Sequence, residues 1–227
     1  MRIFSFIQSR ADRHAAQMPA TSGAARTVFG LSVLDTGWSE MLARAEAALS
    51  RRGTRTEISF LDDATLATML IDSENRRWLS QQVLLPSRRG LAGLVDMLIG
   101  RRPAVDFSPD TLVPALLTYV ERPLNVLLIG ENGQDGQKLK ARLQDHAPWH
   151  RVVPATIDRL QPTPAVDLVV VTKPHLDVTD RVRLSAVSAS LVIFAGKGLE
   201  RFAETSAPSV GRSSLSTAVS AARSKAA

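Results

Sequence analysis

The 227-residue chain contains no cysteine, one tyrosine and three tryptophans, and aromatic residues make up only 5% of it. Without cysteine there are no disulfides and no thiolate metal sites, and the redox compartment is left open. Scarce aromatics weigh against a single-strand nucleic-acid reader, which needs rings for bases to stack on. Long apolar runs are missing as well. No stretch approaches the eighteen or so residues that a membrane-spanning helix requires. The opening Met1-Arg-Ile-Phe-Ser-Phe-Ile7 is cut short by Arg10, Asp12 and Arg13, too soon for a signal peptide. A cytoplasmic location follows as the expectation, with contact at the inner face of the plasma membrane as an added option.

Charge is present, but unevenly. The formal net charge is +6, of which residues 1–27 carry +3 and residues 204–227 carry +2. The body between them is close to neutral. Basic ends on a neutral body suit solvated tails, or weak contact with an anionic membrane surface, better than nucleic acid.

What the chain does have is an alternation of short apolar runs with amphipathic segments. Asn125-Val-Leu-Leu-Ile-Gly130 is a solid apolar run that opens into Glu-Asn-Gly-Gln-Asp-Gly and then into a helical pattern through His146. A buried parallel strand, a glycine-bearing turn and a helix start are implied, the arrangement at which α/β proteins bind anionic or nucleotide ligands. The spacing lacks both G-x-G-x-x-G and the P-loop Lys-Ser/Thr, so no dinucleotide or nucleoside-triphosphate site is expected. A diphosphate against the backbone amides ahead of Gln137 stays open.

The same rhythm organises the rest. Strands are expected at 27–34, 56–61, 124–129, 151–154, 166–172 and 190–195, a short strand or turn at 83–86, and helices at 35–52, 63–70, 73–82, 91–99, 109–120, 135–146 and 177–189. Pro114 is placed near the first turn of its helix, where a missing N–H costs little. The predicted fold is α/β, a Rossmann-like, mostly parallel sheet flanked by helices. A smaller N-terminal α/β subdomain (27–122) precedes the Rossmann-like subdomain (123–203). Residues 1–26 read as a mobile basic leader and 204–227 as a disordered Ser/Ala-rich tail. His14, His146, His150 and His175 show no ligand spacing and read as surface or tail residues, so no metal is expected. Lys173-Pro-His175 follows a buried strand and offers either a cation near a phosphate or an ordinary loop. Arg88-Arg89 reads as loop charge.

The order of segments from Val28 to Phe202 resembles glycosyltransferase family 26, the WecG/TagA/CpsF family. The residues that carry the likeness are Phe29-Gly-Leu-Ser-Val-Leu-Asp35, Ser73-Glu-Asn-Arg-Arg-Trp-Leu79, Val83-Leu-Leu-Pro86, Leu127-Leu-Ile-Gly130 through Leu143, Asp167-Leu-Val-Val-Val171 and Leu191-Val-Ile-Phe194. The resemblance implies transfer of an N-acetylmannosamine-type sugar from UDP to a polyprenyl-diphosphate-linked acceptor in bacterial surface-polymer synthesis, with no cofactor.

The departures fall at the family's chemistry. Where the family has Pro-Asp-Gly, with its presumed base, this chain has Pro86-Ser87-Arg88. A serine has no pKa near neutrality and cannot alone take a proton from an attacking hydroxyl. The family's Thr-x-Asn becomes Ser59-Phe60-Leu61. Its Arg-Val-Thr-Gly-x-Asp becomes Val105-Asp-Phe-Ser-Pro-Asp110, and its Gly-x-Pro-Lys-Gln-Glu becomes Thr172-Lys-Pro-His175. Ala195-Gly-Lys-Gly198 is the best preserved. Two expectations result. In one the protein is an active transferase in which Ser87, Asp106 and Asp110 supply the catalytic positions, while Ser59, Arg88, Gly130, Glu131, Lys173, Gly196 and Lys197 hold the UDP-sugar. In the other it is a non-catalytic relative that binds a partner glycosyltransferase, a nucleotide-sugar or the membrane surface.

Overall fold

A computed structural model describes residues 24–28, 30–51, 53–87, 105–160 and 165–204. Its centre is one eight-stranded sheet: β1 (Ala24–Val28), β2 (Leu31–Asp35), β3 (Thr56–Leu61), β4 (Val83–Pro86), β5 (Asn125–Gly130), β6 (Arg151–Thr156), β7 (Val166–Val171) and β8 (Ala189–Phe194). The order across the sheet is β1-β2-β4-β3-β8-β7-β5-β6, and every pairing is parallel except β1 with β2. The protein is therefore α/β with a Rossmann-like, mostly parallel sheet. Pairing of β3 with β8 makes the sheet continuous across residue 122, so both halves of the chain share one sheet.

Helices cover both faces, as a parallel sheet requires. On one face lie α1 (Trp38–Ser50), α4 (Pro109–Tyr119) and α5 (Gly133–His146). Their buried Met41, Ala45, Leu49, Leu112, Leu116, Leu117, Leu139 and Leu143 join alternate strand residues such as Ile58, Phe60, Leu128, Val170 and Ile193 in one core. The opposite face carries α2 (Asp63–Ile71), α3 (Ser73–Leu79) and α6 (Val178–Ser185), with a short 3-10 turn at Ile157–Arg159. There the core splits in two, one part around Leu61, Leu66, Met69 and Leu79, the other around Ile129, Val171, Leu184 and Val192.

Helix starts follow side-chain capping. Asp62, Asp72, Asn132 and Asp177 each accept a backbone N–H of the following turn, and Asp177 forms a reciprocal box with Asp180. After Glu204 nothing is described, and the expected helix at 91–99 also lies outside the described residues.

Three local expectations change. The strand expected at 27–34 is a hairpin, β1 and β2, because Gly30 sits at φ 80 in the turn and reverses the chain. Pro114 lies beyond the first turn, inside α4, so the carbonyl of Asp110 loses its helical partner there. The helix expected to reach residue 189 stops at Ser185, since Ala189 already pairs with Val166 as part of β8.

Candidate functional site at the carboxyl edge

Parallel strands place their carboxyl ends along one edge, and helices that follow them begin there. β5 is flanked by β6 on one side and β7 on the other, so the chain changes winding direction beyond the ends of β5 and β7. That is the position at which doubly wound sheets form their ligand crevice. Most of the candidate residues reach this edge: Ser87 follows β4, Gly130 and Glu131 close β5, Lys173 follows β7, and Gly196 and Lys197 follow β8.

Four close approaches stitch the edge into a continuous row. At the switch point a Cβ on Gly130 would lie 3.1 Å from the Thr172 hydroxyl, and Thr172 donates its N–H to the carbonyl of Ile129 at 2.8 Å. Next along, Gly196 turns at φ 50, and a Cβ on it would lie 3.8 Å from the Cα of Pro174. Gly198 then abuts Pro109, so closely that a Cβ on the glycine would lie only 2.7 Å from the proline Cγ. Finally Phe107 donates its N–H to the carbonyl of Pro86 at 3.0 Å, carrying the start of α4 to the end of β4. Glycine is needed at 198 because Pro109 already fills the side-chain space, whereas at 130 a side chain would require the Thr172 hydroxyl to give by a few tenths of an ångström.

Ser87 is buried at the end of β4. In the segment that leads into α4, the Ser108 hydroxyl donates to the Asp110 carboxylate and lies 2.9 Å from the Thr111 hydroxyl. Trp38, at the start of α1, packs against Phe107 with ring centroids 4.9 Å apart. Asp106 is half-buried in the same segment. Arg88 lies outside the described residues.

The cations are unequal. Lys173 is paired to Asp180 at 2.8 Å, and Asp180 is 2% exposed. Its bond to Asp180, the largest cause, raises the lysine pKa above the usual value. Asp180 also accepts the N–H of Asp177 and so belongs to the cap of α6. Lys173 is thus committed to holding a buried carboxylate, and a phosphate would have to compete with it. Lys197 is exposed in the 3-10 turn Gly196–Leu199.

The helix start after β5 is acidic. Asn132 caps α5, and Glu131 and Asp135 both stand exposed at its first turn. Like charge there opposes a diphosphate that the helix dipole would otherwise favour.

Ser59 does not reach the edge. It lies within β3 and donates its hydroxyl to Gln82 at 2.5 Å. Gln82 in turn donates to Glu57 at 3.2 Å, and Glu57 pairs with Arg55 at 2.7 Å. Arg55 then donates to the carbonyls of Leu184 and Val187 at the end of α6. Ser59 belongs to a satisfied polar chain between the two smaller cores rather than to a donor pocket.

Sequence reasoning misses His150. Expected at the surface, it is 2% exposed. Its Nδ1 accepts the N–H of Leu124 at 3.1 Å, which leaves Nε2 to donate to the carbonyl of Leu117 at 2.7 Å. Burial holds its pKa below the ordinary value. No regular spacing marks such a residue, since both partners are backbone groups more than two dozen residues away. His146 and His175 are exposed, and His14 is outside the described residues. Among the described residues no cluster of three His, Asp or Glu side chains is arranged to hold a metal, and no helix is long and apolar enough to cross a membrane.

No protein-family model matches the chain, and no curated protein matches it.

Proposed function

We propose that the protein is a glycosyltransferase-family-26-like component of bacterial surface-polysaccharide synthesis that binds and does not transfer. It uses the carboxyl edge to hold a UDP-sugar or a partner glycosyltransferase. The α/β fold with its switch point beyond β5 and β7 supports a ligand at that edge. One observation carries the non-catalytic half: the residue after Pro86, where the family places its base, is a buried serine. Losing a general base costs a transferase about 10²–10⁴-fold in rate. Lys173, spent on Asp180, weakens the grip on a diphosphate further. The basic ends add weak attraction to an anionic membrane surface, where a polyprenyl-linked acceptor would reside.

A second reading, active transfer, is favoured by Asp110, a carboxylate at the start of α4 within the same row of turns. There Asp110 accepts the acceptor's hydroxyl proton in place of the missing aspartate.

Thermal unfolding with UDP and UDP-N-acetylmannosamine, read beside UDP release in the presence of a polyprenyl-diphosphate-linked acceptor, separates the two. Binding without transfer raises the melting temperature, since a ligand at a hundredfold excess over its dissociation constant adds about 2.7 kcal/mol. Lys197→Ala should shrink that shift. Lys173→Ala is a poor probe, because it removes the nearest cation from the buried Asp180 and so disturbs the cap of α6. Turnover at ordinary transferase rates that Asp110→Asn abolishes would establish the active reading, and no shift at millimolar ligand would remove sugar nucleotides altogether.

A further inference from the structure

Among the described residues β6 is the outer strand on one side of the sheet, paired only to β5. An outer strand exposes a row of unpaired backbone groups and invites another strand to join. Which groups face outward follows from one bond. Arg151 donates its N–H to the carbonyl of Leu124, so residues 151, 153 and 155 turn their backbone polar groups toward β5. Residues 152, 154 and 156 turn theirs away from the sheet. Position 154, the middle of these three, is proline.

Proline has no N–H, so at 154 nothing is lost toward β5, while the outer edge loses its central donor. Its ring Cδ stands where an incoming carbonyl would need to accept. The ring also packs on α5, 3.5 Å from where a Cβ on Gly136 would be, which holds it in place. Val153, next to it, is 43% exposed on the opposite face from α5. An outer strand with an exposed apolar side chain invites self-pairing, and the proline sits at the centre of its outward-facing row.

We propose that Pro154 is an edge guard that stops β6 from pairing with β6 of a second copy of this chain. With an N–H at 154, two copies could align β6 antiparallel about a two-fold axis and extend the sheet through both. The proposal concerns self-association only and is independent of what the carboxyl edge binds.

Sedimentation equilibrium of the full chain tests it. Pro154→Thr should associate at concentrations at least tenfold lower than the unsubstituted protein, with its circular dichroism unchanged. Adding Val153→Lys to that variant sets like charges against each other across the two-fold axis and should return the mass to that of the unsubstituted protein. Pro154→Ala supplies the same N–H with least bulk and serves if the threonine variant loses its native spectrum. The proposal is overturned if folded variants keep the unsubstituted protein's mass throughout. Association that survives Val153→Lys also overturns it, because another surface would then be responsible. So does unfolding of both single variants, since Pro154 would then serve the strand and not its edge.

Discussion

The two faces of the sheet are built differently. On the face of α1, α4 and α5 one apolar core runs without a break from Ile58 and Phe60 to Val152. On the other face two smaller cores stand apart, and what joins them is aromatic and polar. Trp78 of one meets Phe194 of the other edge to face at 4.9 Å. Arg181 of α6 stacks over Trp78 at 4.4 Å and donates to the buried Asn75 of α3 at 2.8 Å. Further along the seam, Ser59, Gln82, Glu57 and Arg55 form a hydrogen-bonded chain ending on α6 carbonyls. A continuous apolar face gives cohesion with little directional demand, because burial scales with area and not with geometry. A polar seam gives little net energy per bond but fixes how its two sides meet, and each group left unpaired is costly.

Substitutions should separate these two kinds of adhesion. Leu117→Ala, on the apolar face, removes a fully buried side chain and should cost about 2–5 kcal/mol in urea unfolding, with a single cooperative transition retained. Arg55→Ala, on the seam, removes the cation paired with Glu57 and one donor from each of the Leu184 and Val187 carbonyls. It should cost less, about 1–3 kcal/mol, and should speed amide exchange in α6 beyond that global loss. If both variants lower stability without any selective loosening of α6, the distinction between the faces fails. Gly198→Ala probes the carboxyl edge that both faces share. The new methyl would overlap the ring of Pro109, a buried residue anchored in α4, and should cost about 1–3 kcal/mol. A variant as stable as the parent would mean that the row of turns yields easily, and a ligand site there would lose its rigid floor.

The continuous face is legible in the sequence and the seam is not. Leu139 and Leu143, four apart beside charged neighbours, announce a helix with one buried side, and both are buried. The apolar runs of β5 and β7 likewise read as buried strands, and that of β8 as a strand. Ser59 is expected as a sugar-donor contact only through the family resemblance, which sets its hydroxyl where the family has Thr-x-Asn. Its partner Gln82 lies twenty-three residues on, and no period links them. Lys173 follows the same logic. A lysine after a buried strand looks available to a phosphate until Asp180, seven residues later, folds back as a helix cap and takes it. Local pattern gives the elements and their buried sides. Which polar groups are already spent depends on tertiary neighbours, and the candidate site is made of such groups.

His150 sharpens the comparison from within the apolar face, where it is a buried polar side chain bridging Leu117 of α4 and Leu124 ahead of β5. Protonation would take away the Nδ1 lone pair that Leu124 N–H uses and would put a charge among apolar groups. Burial accordingly lowers its pKa in the folded state, so between that value and about 6.5 the unfolded chain binds a proton that the folded chain does not. Unfolding then takes up protons, and stability falls as the pH drops below about 6.5, by at most about 1.4 kcal/mol per unit from this group. Above that pH its contribution is constant. His150→Gln keeps an acceptor for Leu124 and a donor for Leu117 but does not titrate. Urea midpoints measured from pH 8 to pH 5 should fall more steeply for the histidine protein, with the two curves parallel above pH 7. Parallel curves throughout would mean that water reaches His150 freely, and the face around it would then be looser than its packing implies.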